Sequence, residues 1–361
     1  MAAIRRKRSL LIAAKRRFVK LFTITILVFT GAFSASGAFA QTRAEIATTC
    51  VTPPNADAAI AACSALIASG TETMANVVIL YNQRGKAYHG KGQYGLAIAD
   101  YTKAVELDPK FAIAFANRGV AYDEQGQYDL AIADYSNAIA LNPNSAAFFA
   151  NRGVAYDETG QYDLAIADET KAVALDPDFE GAFANRGGAY DEKGEYDLAI
   201  ADESRAIELD PGDENAFTNR AKAYNHKGQY DLAIADENRA IVLDPNAQDA
   251  LSNRCWTQAV VGRIQLALAD CNQSLELKPG DAGTLDARGF VYLKMQNADA
   301  ALADYNAALA ANDRLAHSLY GRGLAKHMKG DTVGGDADIA AAKAFNAAIA
   351  TEFVKPGINS R

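Results

Sequence analysis

Apolar and polar positions recur in a fixed order along most of the chain. In residues 112–145, Phe115, Gly119 and Tyr122 fall at i, i+4 and i+7, which places them on one face of a helix. Ala131, Tyr135 and Ala138 make a matching face on a second helix. Gly126, between them, predicts the end of the first helix, because glycine tolerates a left-handed backbone. Pro143 closes the stretch, since proline cannot continue a helix interior. Two helices this short cannot bury their apolar faces alone. Stacking on similar neighbours would bury them, so stability becomes largely a nearest-neighbour property.

The neighbours are written in the sequence. Pro109, Pro143, Pro177, Pro211, Pro245 and Pro279 fall at steps of 34 residues. Eight in-phase units start near residues 78, 112, 146, 180, 214, 248, 282 and 316 and together span 78–349. Residues 41–77 read as an N-terminal helical cap, with one amphipathic helix over Asp57–Ala68. The last unit is degenerate: Lys326 takes the Tyr slot, and Gly334-Gly335 predicts a second helix that frays or bends. Residues 350–361 read as a short polar tail. A 34-residue period with Gly, Tyr, Ala and Pro in fixed slots, and N-R-G in the first helix, resembles the exported bacterial members of the tetratricopeptide-repeat (TPR) family. The resemblance implies an all-α, right-handed superhelical solenoid of about eight helix-turn-helix units with degenerate caps. It also implies first helices that line the concave side, and a role in binding proteins or peptides.

The first forty residues differ from the rest. Arg5, Arg6, Lys7, Arg8, Lys15, Arg16, Arg17 and Lys20 precede an apolar run from Leu21 to Phe33, followed by Ala38-Phe39-Ala40. This reads as a secretory signal peptide, residues 1–40, cleaved after Ala40. An uncleaved anchor is the alternative, although the run is short for a membrane span. Cleavage would leave 28 basic against 44 acidic residues, moving the net charge from −8 to −16. Such a surface disfavours nucleic acid and anionic membranes and favours a basic partner. The expected location is periplasmic or secreted, without a stable membrane span after cleavage. The sequence leaves the oligomeric state open.

Each unit repeats an Arg followed sixteen residues later by an Asp: Arg84-Asp100, Arg118-Asp134, Arg152-Asp168, Arg186-Asp202, Arg220-Asp236, Arg254-Asp270, Arg288-Asp304 and Arg322-Asp338. The midpoint of Arg118 and Asp134 is the turn residue Gly126, so an antiparallel hairpin brings the two to one height. A charge-assisted pair joining the two helices is expected. A row of arginines that binds anions is the competing reading.

A second stripe of the first helix carries the candidate binding residues. Asn117, Asn151, Asn185, Asn219 and Asn253 offer both donors and acceptors, as an extended peptide backbone requires. Beside them stand Asp123 with Glu124, Asp157 with Glu158, and Asp191 with Glu192, giving way to Trp256 further along. The pattern suggests a groove for a basic stretch followed by an apolar anchor. The alternatives are asparagines that satisfy local backbone groups and acids that merely face solvent.

Cys255 and Cys271 flank a midpoint beside Gly262, so the same argument predicts that they meet. Cys50-Cys63 could pin the first cap, and both pairs could oxidise after export. No C-x-x-C or paired-histidine metal site is present, and no phosphate loop or nucleophile motif. No cofactor is expected. The function expected is a non-enzymatic scaffold or adaptor in the cell envelope. Low-affinity divalent-cation binding, or an enzyme whose site the sequence hides, are the alternatives.

Overall fold

The computed structural model describes residues 37–354, and its contacts divide the chain into two compact units, one ending at Lys193 and one beginning at Gly194. The signal peptide expected from the sequence lies, up to residue 36, outside the described residues.

The first unit holds α1 (Gly37–Val51), α2 (Ala56–Ser69), α3 (Met74–Gly90), α4 (Tyr94–Leu107), α5 (Ala112–Glu124), α6 (Tyr128–Leu141), α7 (Ala146–Glu158), α8 (Tyr162–Leu175) and α9 (Glu180–Glu192). Helices α3/α4, α5/α6 and α7/α8 form successive hairpins, each stacked on the next. Gly126 turns the chain at φ 73°, a conformation a side chain would strain. Its partner signal lies at the other end of the hairpin. Asp108, Asn142 and Asp176 each accept a hydrogen bond on the side chain from the backbone N–H two residues on, which starts the connection to the next hairpin.

Small residues set how closely the helices approach. Ala97, Ala131 and Ala165 are fully buried. Tyr101 and Tyr135 lie across Gly85 and Gly119, where an added Cβ would come within 2.7 and 2.8 Å of the rings. At the N-terminal end α1 and α2 pack through Cys50, Cys63 and Leu66 onto Leu80. Asn55 caps α2, accepting from the Ala58 N–H, and Gly70 closes it in the left-handed region.

The second unit holds α10 (Tyr196–Leu209), α11 (Glu214–His226), α12 (Tyr230–Leu243), α13 (Gln248–Val260), α14 (Ile264–Leu277), α15 (Ala282–Lys294), α16 (Ala298–Ala311), α17 (Ala316–Met328), α18 (Thr332–Phe345) and α19 (Ile349–Val354). The same hairpins recur as α11/α12, α13/α14, α15/α16 and α17/α18. One turn lacks the glycine, and Gln296 adopts φ 59° in its place.

Two expectations for the C-terminal end are corrected. Helix α18 runs unbroken through Gly334-Gly335, because the glycines serve packing. A Cβ at Gly335 would come within 2.8 Å of the Gly323 carbonyl oxygen, so the pair lets α17 and α18 approach. Asp331 supports the same turn by accepting from the Gly334 N–H. The segment from 350, read from sequence as a polar tail, begins instead within α19. Its Phe353 is 1% exposed and packs against Phe290, His317 and Tyr320. Phe353, inside the expected tail, stands one helical turn after Ile349, the last residue of the repeat span, and the two share a buried face.

Candidate functional site

The most regular chemistry in both units surrounds the repeated arginines. In the first unit Arg84, Arg118 and Arg152 each form two parallel hydrogen bonds, through Nε and Nη2, to the two carboxylate oxygens of Asp100, Asp134 and Asp168, at 2.7 to 2.9 Å. In the second unit Arg220, Arg254, Arg288 and Arg322 hold Asp236, Asp270, Asp304 and Asp338 in the same way. Arg186 and Asp202 belong to different units. The hydrogen bond to Asp134 raises the Arg118 pKa, against the opposing effect of burial.

A third bond from each arginine lies beyond what the hairpin spacing predicts. Nη1 reaches back to the preceding hairpin: Arg118 to Thr102 Oγ1 at 3.0 Å, Arg152 to Ser136 Oγ at 2.9 Å, and Arg186 to Thr170 Oγ1 at 3.0 Å. In the second unit the acceptors are Ser204, Asn238, Asn272 and Asn306. One guanidinium therefore ties three consecutive helices. It also lies near the face of an aromatic ring, as Arg118 does over Phe115 at 5.6 Å. The signal was available: positions 102, 136, 170, 204, 238, 272 and 306 share the 34-residue step and always hold Ser, Thr or Asn. With its donors engaged on every side, this row has little left for a bound anion.

The candidate asparagines form no uniform ladder. Asn117 donates to Asn82 Oδ1 at 2.8 Å, and Asn185 donates to Glu169 Oε1 at 2.9 Å. The Asn151 amide nitrogen is buried and has no hydrogen-bond partner. Asn219 and Asn253 are half-buried. Asn82, on α3, is itself buried and lies outside the 34-residue phase of the other asparagines.

The acidic residues are drawn further into the packing than their lettering suggests. Asp123 and Asp191 are buried, while Asp157, Glu158 and Glu192 are half-buried. Glu124 and Glu158 accept from the hydroxyls of Tyr94 and Tyr128, at 3.3 and 3.4 Å, each on the preceding hairpin. In the second unit the equivalent contact is aromatic, with Tyr196 stacked on His226 at 4.8 Å. Trp256 meets Tyr230 edge-on at 6.5 Å and is half-buried. These glutamates thus contribute to cohesion between hairpins as well as to a surface.

The four cysteines lie in two pairs at disulfide distance, with Cα separations of 5.0 Å for Cys50–Cys63 and 5.3 Å for Cys255–Cys271. Among the described residues no group of three or more His, Cys, Asp or Glu side chains gathers as metal ligands would, and no helix is long and apolar enough to cross a membrane.

Comparison with known proteins agrees with this architecture. A TPR repeat family model matches residues 85–126, and tetratricopeptide repeat models match 112–145, 135–167, 181–213 and 204–235. No curated protein matches the sequence. Among solved structures, the Cut9-Hcn1 hetero-tetramer of the APC/C superposes with a TM-score of 0.59 at 18% identity, covering 84% of this chain and 60% of that one. A tetratricopeptide repeat protein from Parabacteroides merdae gives 0.56 at 20% identity over 71% of this chain and 98% of that one. Pseudomonas aeruginosa pilF gives 0.53 at 20% identity over 60% and 99%. Likeness at these identities speaks for the fold alone.

Proposed function

Because this chain belongs to the tetratricopeptide-repeat family, we propose that it is a non-enzymatic scaffold of the bacterial cell envelope that holds a basic protein or extended peptide along its first helices. The family membership carries the interaction role. The choice of surface rests on one contrast. On the arginine side of each hairpin every guanidinium nitrogen is already engaged within the protein, whereas the asparagine stripe holds a buried, unpartnered amide donor at Asn151 and half-buried amides at Asn219 and Asn253. A rotation of the Asn151 side chain towards the groove would let a peptide carbonyl satisfy that donor without any reading of sequence.

Envelope location is supported by the basic and apolar leader and by two cysteine pairs at disulfide distance. A basic partner fits the net charge of −8, which becomes more acidic once the leader is removed.

The test is capture from envelope and culture fractions on the purified protein at low and high salt. A partner with a basic segment, bound more weakly at high salt, supports the reading. Asn117→Ala with Asn151→Ala should then weaken binding with helicity intact. Undiminished affinity would remove the asparagine stripe from the proposal. No partner at either salt would remove the scaffold itself.

A further inference from the structure

One buried slot changes its chemistry along the chain. On the second helix of a hairpin, facing the first, stand Tyr101 and Tyr135 in the first unit and Tyr305 in the second, all essentially buried. At the same 34-residue phase stand Glu169, Glu203 and Glu237, exposed by only 1%, 1% and 0%. A glutamate is shorter than a tyrosine and ionisable, so the exchange alters both packing and charge.

The surroundings of Glu169 are laid out by three helices. Helix α7 presents Gly153 and Asp157; α9 presents Arg186 and Asn185, whose Nδ2 donates to Oε1; Asp168 precedes it on α8. Oε2 is buried and has no hydrogen-bond partner. Where Tyr135 fills the space over Gly119, Glu169 leaves a cavity of about 10 Å³ beside Gly153, Val154 and Asn185, of the order of one water molecule. Glu237 is built alike from other helices. Oε1 accepts from Asn225 Nδ2 of α11 at 3.2 Å and from Thr257 Oγ1 of α13 at 3.0 Å. Arg254 of α13, Asp270 of α14 and the adjacent Asp236 are the charges around it. Its Oε2 is also buried without a partner. A carboxylate so placed is poorly solvated on one oxygen, whereas a neutral carboxyl is penalised far less.

We propose that Glu169 and Glu237 form a pH-sensitive device: each holds its hairpin packed as a neutral carboxyl, and ionisation of either one loosens the helices around it. Desolvation pushes the Glu237 pKa up to about 8, against the opposing pull of Thr257, Asn225 and Arg254. Desolvation likewise drives Glu169 well above the ordinary carboxyl range. The direction follows from linkage. An unfolded glutamate titrates near 4.5, so the stability these groups contribute is full below that pH. It declines as pH rises and is lost through the folded value.

The test is thermal unfolding of the full, disulfide-intact protein from pH 5 to 9. The protein should lose roughly 5 °C or more in Tm between pH 5.5 and 8.5. The double variant Glu169→Gln/Glu237→Gln, isosteric and uncharged, should flatten that decline. An equal decline in the double variant would overturn the proposal. In case the variant fails to fold, carboxyl-carbon NMR titration of the unaltered protein decides independently. A Glu237 midpoint near 8 supports the device, and a midpoint in the ordinary glutamate range overturns it.

Discussion

Arg118 and Asp134 meet through two parallel hydrogen bonds of 2.7 and 2.8 Å across the α5/α6 hairpin, with Asp134 only 4% exposed. Removing the arginine alone would leave a buried, uncompensated carboxylate, which is more damaging than removing both. Arg118→Met should therefore destabilise the protein by about 3 kcal/mol. The double variant Arg118→Met/Asp134→Leu should recover most of that loss. Chemical denaturation of the three proteins checks the cycle. Equal stability of single variant and wild type would show that the pair is not structural and would return the arginine row to the candidate binding residues.

The third bond of each arginine separates cohesion between hairpins from cohesion within them. Thr102→Val keeps the shape of the side chain and removes the acceptor for Arg118 Nη1. A loss of about 1 kcal/mol is expected. Hydrogen exchange should show it as faster opening at the α4/α5 junction, with the α5/α6 hairpin unchanged. Uniform acceleration along the unit would count against a local tie.

How far such relations can be read in advance depends on geometry. Arg118 and Asp134 are equidistant from Gly126, and Cys255 and Cys271 flank Gly262, so knowledge of the hairpin suffices to bring each pair together. Thr102 could not be found that way, because its contact crosses from one hairpin to the next and depends on how the hairpins stack. Glu169 and Glu237 were hidden for another reason. Carboxylates are ordinarily placed at the surface, and only their phase with Tyr101, Tyr135 and Tyr305 marks the slot as internal. The same habit overstated the acidic face, where Asp123 and Asp191 are buried and Glu124 answers to Tyr94.

Gln296 takes the left-handed turn position that glycine occupies at Gly262 and Gly330. A side chain there is strained, and glycine relieves the strain at some expense in unfolded-chain entropy. Gln296→Gly should stabilise the protein by roughly 0.5 kcal/mol. A drop in Tm would mean that the Gln296 side chain makes compensating contacts.

Cys255 and Cys271 replace the close glycine and the large slot residue that face each other in other hairpins, as Gly119 and Tyr135 do. Both are fully buried, and their Cα atoms stand 5.3 Å apart. A bond closing a loop of this length constrains the unfolded chain by about 3 kcal/mol. Cys255→Ala/Cys271→Ala should lower stability by about that amount, and a reductant should have no further effect on the α13/α14 hairpin. An unchanged Tm would show that the thiols are buried but unlinked.

Asp338 responds to pH in the direction opposite to the buried glutamates. Burial alone would raise its pKa, but hydrogen bonds from Arg322 and Lys326 prevail and hold it below the usual aspartate value. Lys326 takes part because it occupies the slot that holds Tyr122 in α5, and its Nζ reaches Asp338 at 2.8 Å. A depressed carboxylate contributes stability that is present above its unfolded pKa of about 3.8 and lost as pH falls through the folded value. Lys326→Met should move this acid-side loss to higher pH while leaving the alkaline side unaltered. Because α18 lies near the C-terminal end, the loss should appear first as exchange of its amides below pH 4. If the Lys326→Met protein keeps the wild-type acid profile, Arg322 alone sets the Asp338 ionisation, and the second cation is a surface neighbour without effect on stability.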